Sequence, residues 1–216
     1  MYCVLILIML ECCYFKIFFL TKIIIAMDFY IFRHGETPGN SCRIWQGRTG
    51  NFDLNVTGIK QAHHLGMSLQ RKSIEVIVSS PMLRAMHTAN IVAGYCNVPI
   101  LVREDLQEAD YGIVDGRNFD DIERLFPDLY QKWMNPLPEY FDTGFEAGET
   151  MQMVLNRVFA VLGELSKSHR HEYIAVSTHG GVMALLLAYF GVHNHWVANG
   201  EYIHICRAPN GEYHLY

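Results

Sequence analysis

Two spacings of hydrophobic residues alternate along most of the chain. Short runs rich in β-branched and aromatic residues predict buried strands, and apolar residues three or four positions apart predict helices. The predicted strands are 29–32, 75–80, 99–102 and 173–177. The predicted helices are 57–70, 82–95, 120–133, 150–168 and 181–190. The Pro-Asn-Gly sequence at 209–211 predicts a turn between two further strands, 202–206 and 213–216.

The alternation of strands with helices predicts the fold class. Strands that are joined through helices lie parallel in one sheet, with helices covering both faces. We therefore expect an α/β protein, a three-layer α/β/α sandwich with a mainly parallel central sheet. Ligands of such sheets bind beyond the carboxyl ends of the strands. Chemically active side chains should then stand directly after the predicted strands.

Residues 1–26 differ from the remainder because they are mostly apolar, with Glu11, Lys16 and Lys22 as interruptions. A membrane-spanning helix needs ~20 mostly apolar residues, so this segment is marginal for one. No positive charge precedes the first apolar run, which fits a secretory signal poorly. Met27 directly precedes the first strand. We interpret 1–26 as a hydrophobic extension outside the native protein, with a membrane-associated helix as the alternative, and 27–216 as a single domain.

Composition narrows the classes of function. Half of the 216 residues are apolar, which suits one domain with a sizeable core. A formal charge of -5 gives no general attraction to nucleic acid. The six cysteines include no CxxC pair, so we expect reduced thiols and a cytoplasmic protein. Paired histidines such as His63-His64 have no accompanying carboxylates, and we predict no metal site.

Five residues with complementary chemistry follow the predicted strands: Arg33, His34, Arg84, Glu108 and His179. A neutral imidazole can attack phosphorus and hold the phosphoryl group covalently. Guanidinium groups match the phosphoryl oxygens and remain charged. A carboxyl group can protonate the leaving oxygen, which is worth roughly 100- to 10,000-fold in rate. Each residue alone is a weak signal, but their shared placement predicts a phosphoryl-transfer site.

The chain resembles the histidine phosphatase superfamily, also called the phosphoglycerate mutase-like family, over residues 28–206. The resemblance is carried by Arg33-His34-Gly35-Glu36-Thr37, Gln46-Gly47, Ser80-Pro81 with Arg84-Ala85, Leu106-Gln107-Glu108, Gly148-Glu149-Thr150 and Ser177-Thr178-His179-Gly180-Gly181.

This resemblance implies a phosphoglycerate mutase-like fold and a role for each matching residue. It implies that His34 becomes phosphorylated, that Arg33, Arg84 and His179 bind the phosphoryl group, and that Glu108 donates a proton. It also implies that neither a metal nor another cofactor is needed. The residues expected to bind substrate near the phosphate are Asn40, Gln46, Gly47 and Gly180.

The family contains phosphatases and mutases, and two features favour a phosphatase. Glu108 and His179 are only 71 positions apart, whereas the mutases that the chain resembles carry a longer insertion there. The segment 119–150, a candidate lid, contains just Arg124 and Lys132 as basic residues. We therefore predict a phosphatase for a small phosphorylated substrate. A mutase-type phosphotransferase and a non-catalytic binder of phosphate esters remain alternatives, and a homodimer is left open.

Overall fold

The computed structural model describes residues 26–168 and 170–216. Residues 1–25, and with them nearly all of the predicted hydrophobic extension, lie outside the described residues. Within the described ranges, no helix combines the length and the apolar character that a membrane crossing requires.

Six strands and seven helices make up the described part of the chain. The strands are β1 (Met27–Arg33), β2 (Val76–Ser79), β3 (Ile100–Val102), β4 (Tyr173–Thr178), β5 (Tyr202–Arg207) and β6 (Tyr213–Leu215). The helices are α1 (Pro38–Ser41), α2 (Val56–Leu69), α3 (Leu83–Cys96), α4 (Phe119–Leu125), α5 (Pro127–Met134), α6 (Met151–Ser168) and α7 (Gly180–Tyr189). All predicted strands are present, with bounds within two residues of the prediction.

The single helix predicted over 120–133 is wrong, because the chain breaks at Phe126. Helix α4 ends at Leu125 and α5 begins at Pro127, with Phe126 at φ -137° and ψ 53° between them. A proline has no amide hydrogen, and its ring clashes with the preceding turn, so it cannot continue a helix. It is well suited to the first position of the next one. Helix α1, which is capped by Thr37, was not predicted.

The sheet has the order β3-β2-β4-β1-β5-β6 and is mainly parallel, as predicted. Strands β3, β2, β4 and β1 run parallel, and β5 and β6 add an antiparallel edge. Strand β1 pairs with β4 in a register that ends at Arg33 opposite Thr178. The residues that follow these two strands, His34 and His179, therefore leave the sheet side by side.

Alternate residues of the central strands build two cores, one on each face of the sheet. Phe29 and Ile31 of β1 pack into the larger core with α6 and α7, whereas Phe32 packs with α2 and α3. This alternation follows from the two-residue period of a strand. Helices thus cover both faces, which confirms the three-layer arrangement.

The aromatic residues of segment 119–150 belong largely to the larger core. Tyr130, Trp133, Phe141 and Phe145 are buried there, together with Trp45. Trp45 stands near the signature sequence, so its packing joins this segment to the loop after β1. The role of the segment as a lid stays a prediction.

Helix α6 has one buried face and one exposed face, so substitutions on it test which face contributes to the free energy of unfolding. Leu162 is fully buried on this helix, whereas Met153 is 53% exposed. We expect Leu162→Ala to lower the free energy of unfolding by about 2–5 kcal/mol, because it leaves a cavity. The control Met153→Ala should change it by less than about 0.5 kcal/mol. Urea unfolding of both variants measures the difference, and equal effects would contradict this packing.

Candidate active site

His34 follows β1 and is buried at the carboxyl end of the sheet. Its Nδ1 lies 2.7 Å from the carbonyl oxygen of Gly35. A carbonyl only accepts hydrogen bonds, so Nδ1 carries the proton and Nε2 carries the lone pair. Burial and the nearby Arg84 and Arg33 hold the pKa of His34 well below 6.5. The imidazole is therefore neutral at neutral pH, with its basic nitrogen at Nε2.

Arg84 lies in the first turn of α3 and is 1% exposed. Its Nε donates to Nε2 of His34 at 3.2 Å, and its two terminal nitrogens donate to the carbonyls of Gly50 and Gly47 at 2.8 and 2.9 Å. Gly47 has φ +49°, and a Cβ there would collide with the Asp115 carboxylate. The position thus requires glycine. Gly47 therefore acts through its backbone carbonyl, and its loop holds the Arg84 guanidinium against His34.

His179 follows β4 and precedes α7, completely buried. Its Nε2 lies 2.8 Å from the Ser80 hydroxyl, and its ring centroid lies 5.3 Å from that of His34. Burial and Arg84 hold the pKa of His179 well below 6.5. Its Nδ1 is buried without a hydrogen-bond partner among the described residues. His179 is therefore a second neutral histidine next to His34, and its Nδ1 is the ring nitrogen that forms no hydrogen bond with the described residues.

Arg33, the last residue of β1, donates from Nη1 to the Val197 carbonyl at 2.9 Å. Its Nε is buried and has no partner among the described residues. Gly180 lets this guanidinium pack closely, since a Cβ there would lie 3.0 Å from Nε. Burial lowers the pKa of Arg33, although Glu108 opposes this. A buried cation with an unused donor is suited to binding an anion.

Glu108 places its carboxylate at the start of α7. The carboxylate oxygens accept from the amides of Ala109, Gly181 and Val182 at 2.9, 3.0 and 3.3 Å. The first amides of a helix lack partners within it, so they are free to donate to this side chain. The backbone thus orients this carboxylate in the pocket that holds His34.

An ion-pair network outside the pocket holds the loop that carries Glu108. Both Arg48 and Arg157 donate to the Glu108 carbonyl at 3.0 Å, and both pair with the Glu149 carboxylate at 2.9 Å. Burial favours the protonated acid, but the hydrogen bonds from Arg157 and from the Asp110 amide hold the pKa of Glu149 below its ordinary value. Sequence reasoning singled out neither arginine, because their partners are distant backbone carbonyls.

Asn40 and Gln46 meet through Thr37. The Thr37 hydroxyl oxygen lies 3.0 Å from Asn40 Oδ1 and 3.0 Å from Gln46 Oε1. The amide oxygens face the threonine, which leaves the two NH2 groups as the donors for a ligand. Asn199 lies in the segment before β5, and sequence reasoning missed it. Its side-chain amide donates to the His34 carbonyl at 3.0 Å.

These side chains surround one pocket that encloses ≈ 400 Å³ of empty space, part of it open to solvent. Eight of the nine predicted site residues line it, and His179 lies beside His34. Among the described lining residues, Glu108 is the one carboxylate and Arg33 and Arg84 are the two guanidinium groups. The further lining residues are Ile44, Trp45, Tyr111, Phe119, Gly181 and Trp196. In the described ranges, no three His, Cys, Asp or Glu side chains converge as metal ligands.

Comparison with known proteins identifies the family. The sequence profile of the histidine phosphatase superfamily, branch 1, matches residues 29–207. The chain belongs to the histidine phosphatase superfamily. This match confirms the predicted family.

The relatives of this histidine phosphatase include named phosphatases, which confirms the predicted phosphatase class of enzyme. Phosphoserine phosphatase 1 of Hydrogenobacter thermophilus is 31% identical over 74% of this chain and 74% of the relative. The adenosylcobalamin/alpha-ribazole phosphatase of Escherichia coli K12 is 30% identical over 75% of this chain and 78% of the relative. The solved structure of Bacillus stearothermophilus YhfR has 27% identity and a TM-score of 0.76, covering 88% of this chain and 95% of that one. The predicted fold is thereby confirmed.

The environment of His34 predicts its titration. An ordinary histidine is half protonated near pH 6.5. Because burial, Arg84 and Arg33 lower the pKa of His34, its imidazole should stay neutral as the pH falls through 6.5 and should gain a proton only in distinctly more acidic solution. Nitrogen NMR of the histidine-labelled chain measures this, with the His34 signals assigned by their loss in His34→Ala. A charged His34 imidazole at pH 6.5 would contradict the electrostatic environment described.

Proposed function

We propose that this histidine phosphatase hydrolyses small phosphate monoesters, without a metal ion, through a phosphohistidine at Nε2 of His34. The observation that carries the proposal is the hydrogen bond from Nδ1 to the Gly35 carbonyl, 2.7 Å long. It makes Nε2 the nitrogen with the lone pair, beside two guanidinium groups that suit a phosphoryl dianion. The low pKa of His34 keeps this lone pair available at neutral pH.

In the first step, Nε2 of His34 attacks phosphorus and the bond between phosphorus and the leaving oxygen breaks. Arg84 Nε, which donates to Nε2 of His34, transfers its hydrogen bond to a phosphoryl oxygen as the P–N bond forms. Arg33, His179 and the amide groups of Asn40 and Gln46 supply further donors. Glu108 gives its proton to the leaving alcohol.

In the second step, Glu108 takes a proton from water, and the water oxygen attacks phosphorus. The P–N bond breaks, phosphate leaves, and Glu108 is protonated again for the next cycle. Arg33 and Arg84 stabilise the negative charge in both transition states, because they are already in place and need little reorganisation. The positive charge that a metal would supply is thus provided by the chain itself.

Loss of the nucleophile should abolish turnover. We expect the full-length chain to release phosphate from 4-nitrophenyl phosphate in the presence of a chelator, and His34→Ala to fall to background. A control variant, His64→Ala, removes an exposed histidine and should retain activity. Brief reaction and quenching should trap an acid-labile, base-stable phosphoprotein in the parent chain and not in His34→Ala. Activity lost on chelation, or kept by His34→Ala, would refute the mechanism.

The proton-donor role of Glu108 predicts a dependence on the leaving group. Benzyl alcohol is a poor leaving group that needs a proton, whereas 4-nitrophenolate departs without one. In single-turnover experiments, Glu108→Gln should slow phosphorylation by benzyl phosphate by roughly 100- to 10,000-fold. It should slow phosphorylation by 4-nitrophenyl phosphate much less. The exposed Glu146→Gln serves as the control, and equal losses with both esters would contradict proton donation.

A further inference from the structure

The pocket wall beyond the phosphate-binding side chains is aromatic and aliphatic. Ile44, Trp45, Tyr111, Phe119 and Trp196 form it. Trp45 and Phe119 stack with ring centroids 5.1 Å apart, so they present one continuous apolar surface. The β-bridge from Ile44 to Asn118 connects the two segments that carry these residues.

The polar edge of this wall is already used within the protein. The indole N–H of Trp196 donates to the Met134 carbonyl at 3.0 Å, so this tryptophan offers the pocket mainly its carbon surface. Tyr111 is buried, and burial together with Glu108 holds its pKa well above 10. Its hydroxyl therefore stays uncharged and adds no anionic or cationic group to the wall.

Two arginines near the wall have partners outside the pocket. Arg43 pairs with Asp120 at 2.9 Å, with its guanidinium 5.6 Å from the centre of the Phe119 ring. Arg48 is held by Glu149 and by the Glu108 carbonyl. Neither Arg43 nor Arg48 lines the pocket. Arg33 and Arg84 remain, and the proposed mechanism assigns both to the phosphoryl group.

This distribution of charge discriminates between leaving groups. A carboxylate that enters with the leaving group would lose its water and meet no free cation, and burying an unpaired charge is costly. An uncharged ring would instead cover the apolar surface of Trp45, Phe119 and Trp196 and release the water there.

We infer that the substrates of this enzyme are phosphate monoesters of uncharged alcohols with an apolar or aromatic group, and that esters of carboxylate-bearing alcohols are poor substrates. The inference rests on the proposed function, because it concerns the leaving-group side of the same pocket. It separates this chain from a phosphoglycerate mutase, whose substrate carries a carboxylate.

The test compares esters of four alcohols on the full-length chain: benzyl phosphate, ethyl phosphate, O-phosphoserine and 3-phosphoglycerate. All four have alkyl-type leaving oxygens, so kcat/KM reports mainly on recognition. We expect kcat/KM for benzyl phosphate to exceed kcat/KM for ethyl phosphate, and for both carboxylate esters, by about tenfold or more. If ethyl phosphate equals benzyl phosphate, or if either carboxylate ester is preferred, the inference is overturned while the proposed function stands. Failure to hydrolyse any phosphate monoester would refute the proposed function itself.

Substitutions in the apolar wall of the pocket provide a second test of the inference. Phe119→Ala should lower the ratio of kcat/KM for benzyl over ethyl phosphate by about tenfold, chiefly through KM for the benzyl ester. Ile44→Lys adds a cation and should raise the relative kcat/KM for 3-phosphoglycerate. Tyr216→Ala removes a 77%-exposed aromatic residue elsewhere and should leave both ratios unchanged. Ratios in Phe119→Ala and Ile44→Lys equal to those of the parent chain would overturn the assignment of specificity to this wall.

Discussion

The buried guanidinium of Arg84 is the interaction on which the site depends. It joins the end of β1, the start of α3 and the loop of Gly47 and Gly50 through three hydrogen bonds. A buried charge is costly unless it is compensated. Two carbonyl dipoles and one imidazole nitrogen provide only partial compensation, and no described carboxylate forms a salt bridge with Arg84. The folded protein thus maintains a positive site in advance, and the proposed mechanism places the phosphoryl dianion against it.

The sequence predicted the centre of this site because its residues come directly after strands or within the next few residues. Parallel pairing of β1 with β4 makes His34 and His179 neighbours, and Arg84 and Glu108 arrive at the same edge by the same rule. The supporting residues follow no such rule. Arg48, Arg157 and Asn199 act through side chains that donate to carbonyls far away in the sequence. Such contacts depend on the completed fold, and local spacing carries no signal for them.

The single helix predicted over 120–133 is wrong because the effect of one proline outweighs the apolar periodicity. Apolar periodicity continues smoothly across Phe126 and predicts one helix as far as Trp133. Pro127 ends it sooner, for the ordinary reason that proline lacks a donor. The aromatic residues nearby have the spacing of a buried helix face, and Tyr130 and Trp133 lie in the core. Periodicity identified what is buried better than where the chain turns.

The segment before β5 holds the residues at the end of β1, and it is among the last parts of the chain to be made. Asn199 holds the His34 carbonyl, the Gly200 amide donates to the Arg33 carbonyl, and Val197 accepts from the Arg33 side chain. Synthesis proceeds from the amino terminus, so the signature histidine is made early and its supports are made last. A translation product that stops before Val197 would carry the complete signature sequence without these supports. The site is therefore complete only when nearly the whole chain has been translated.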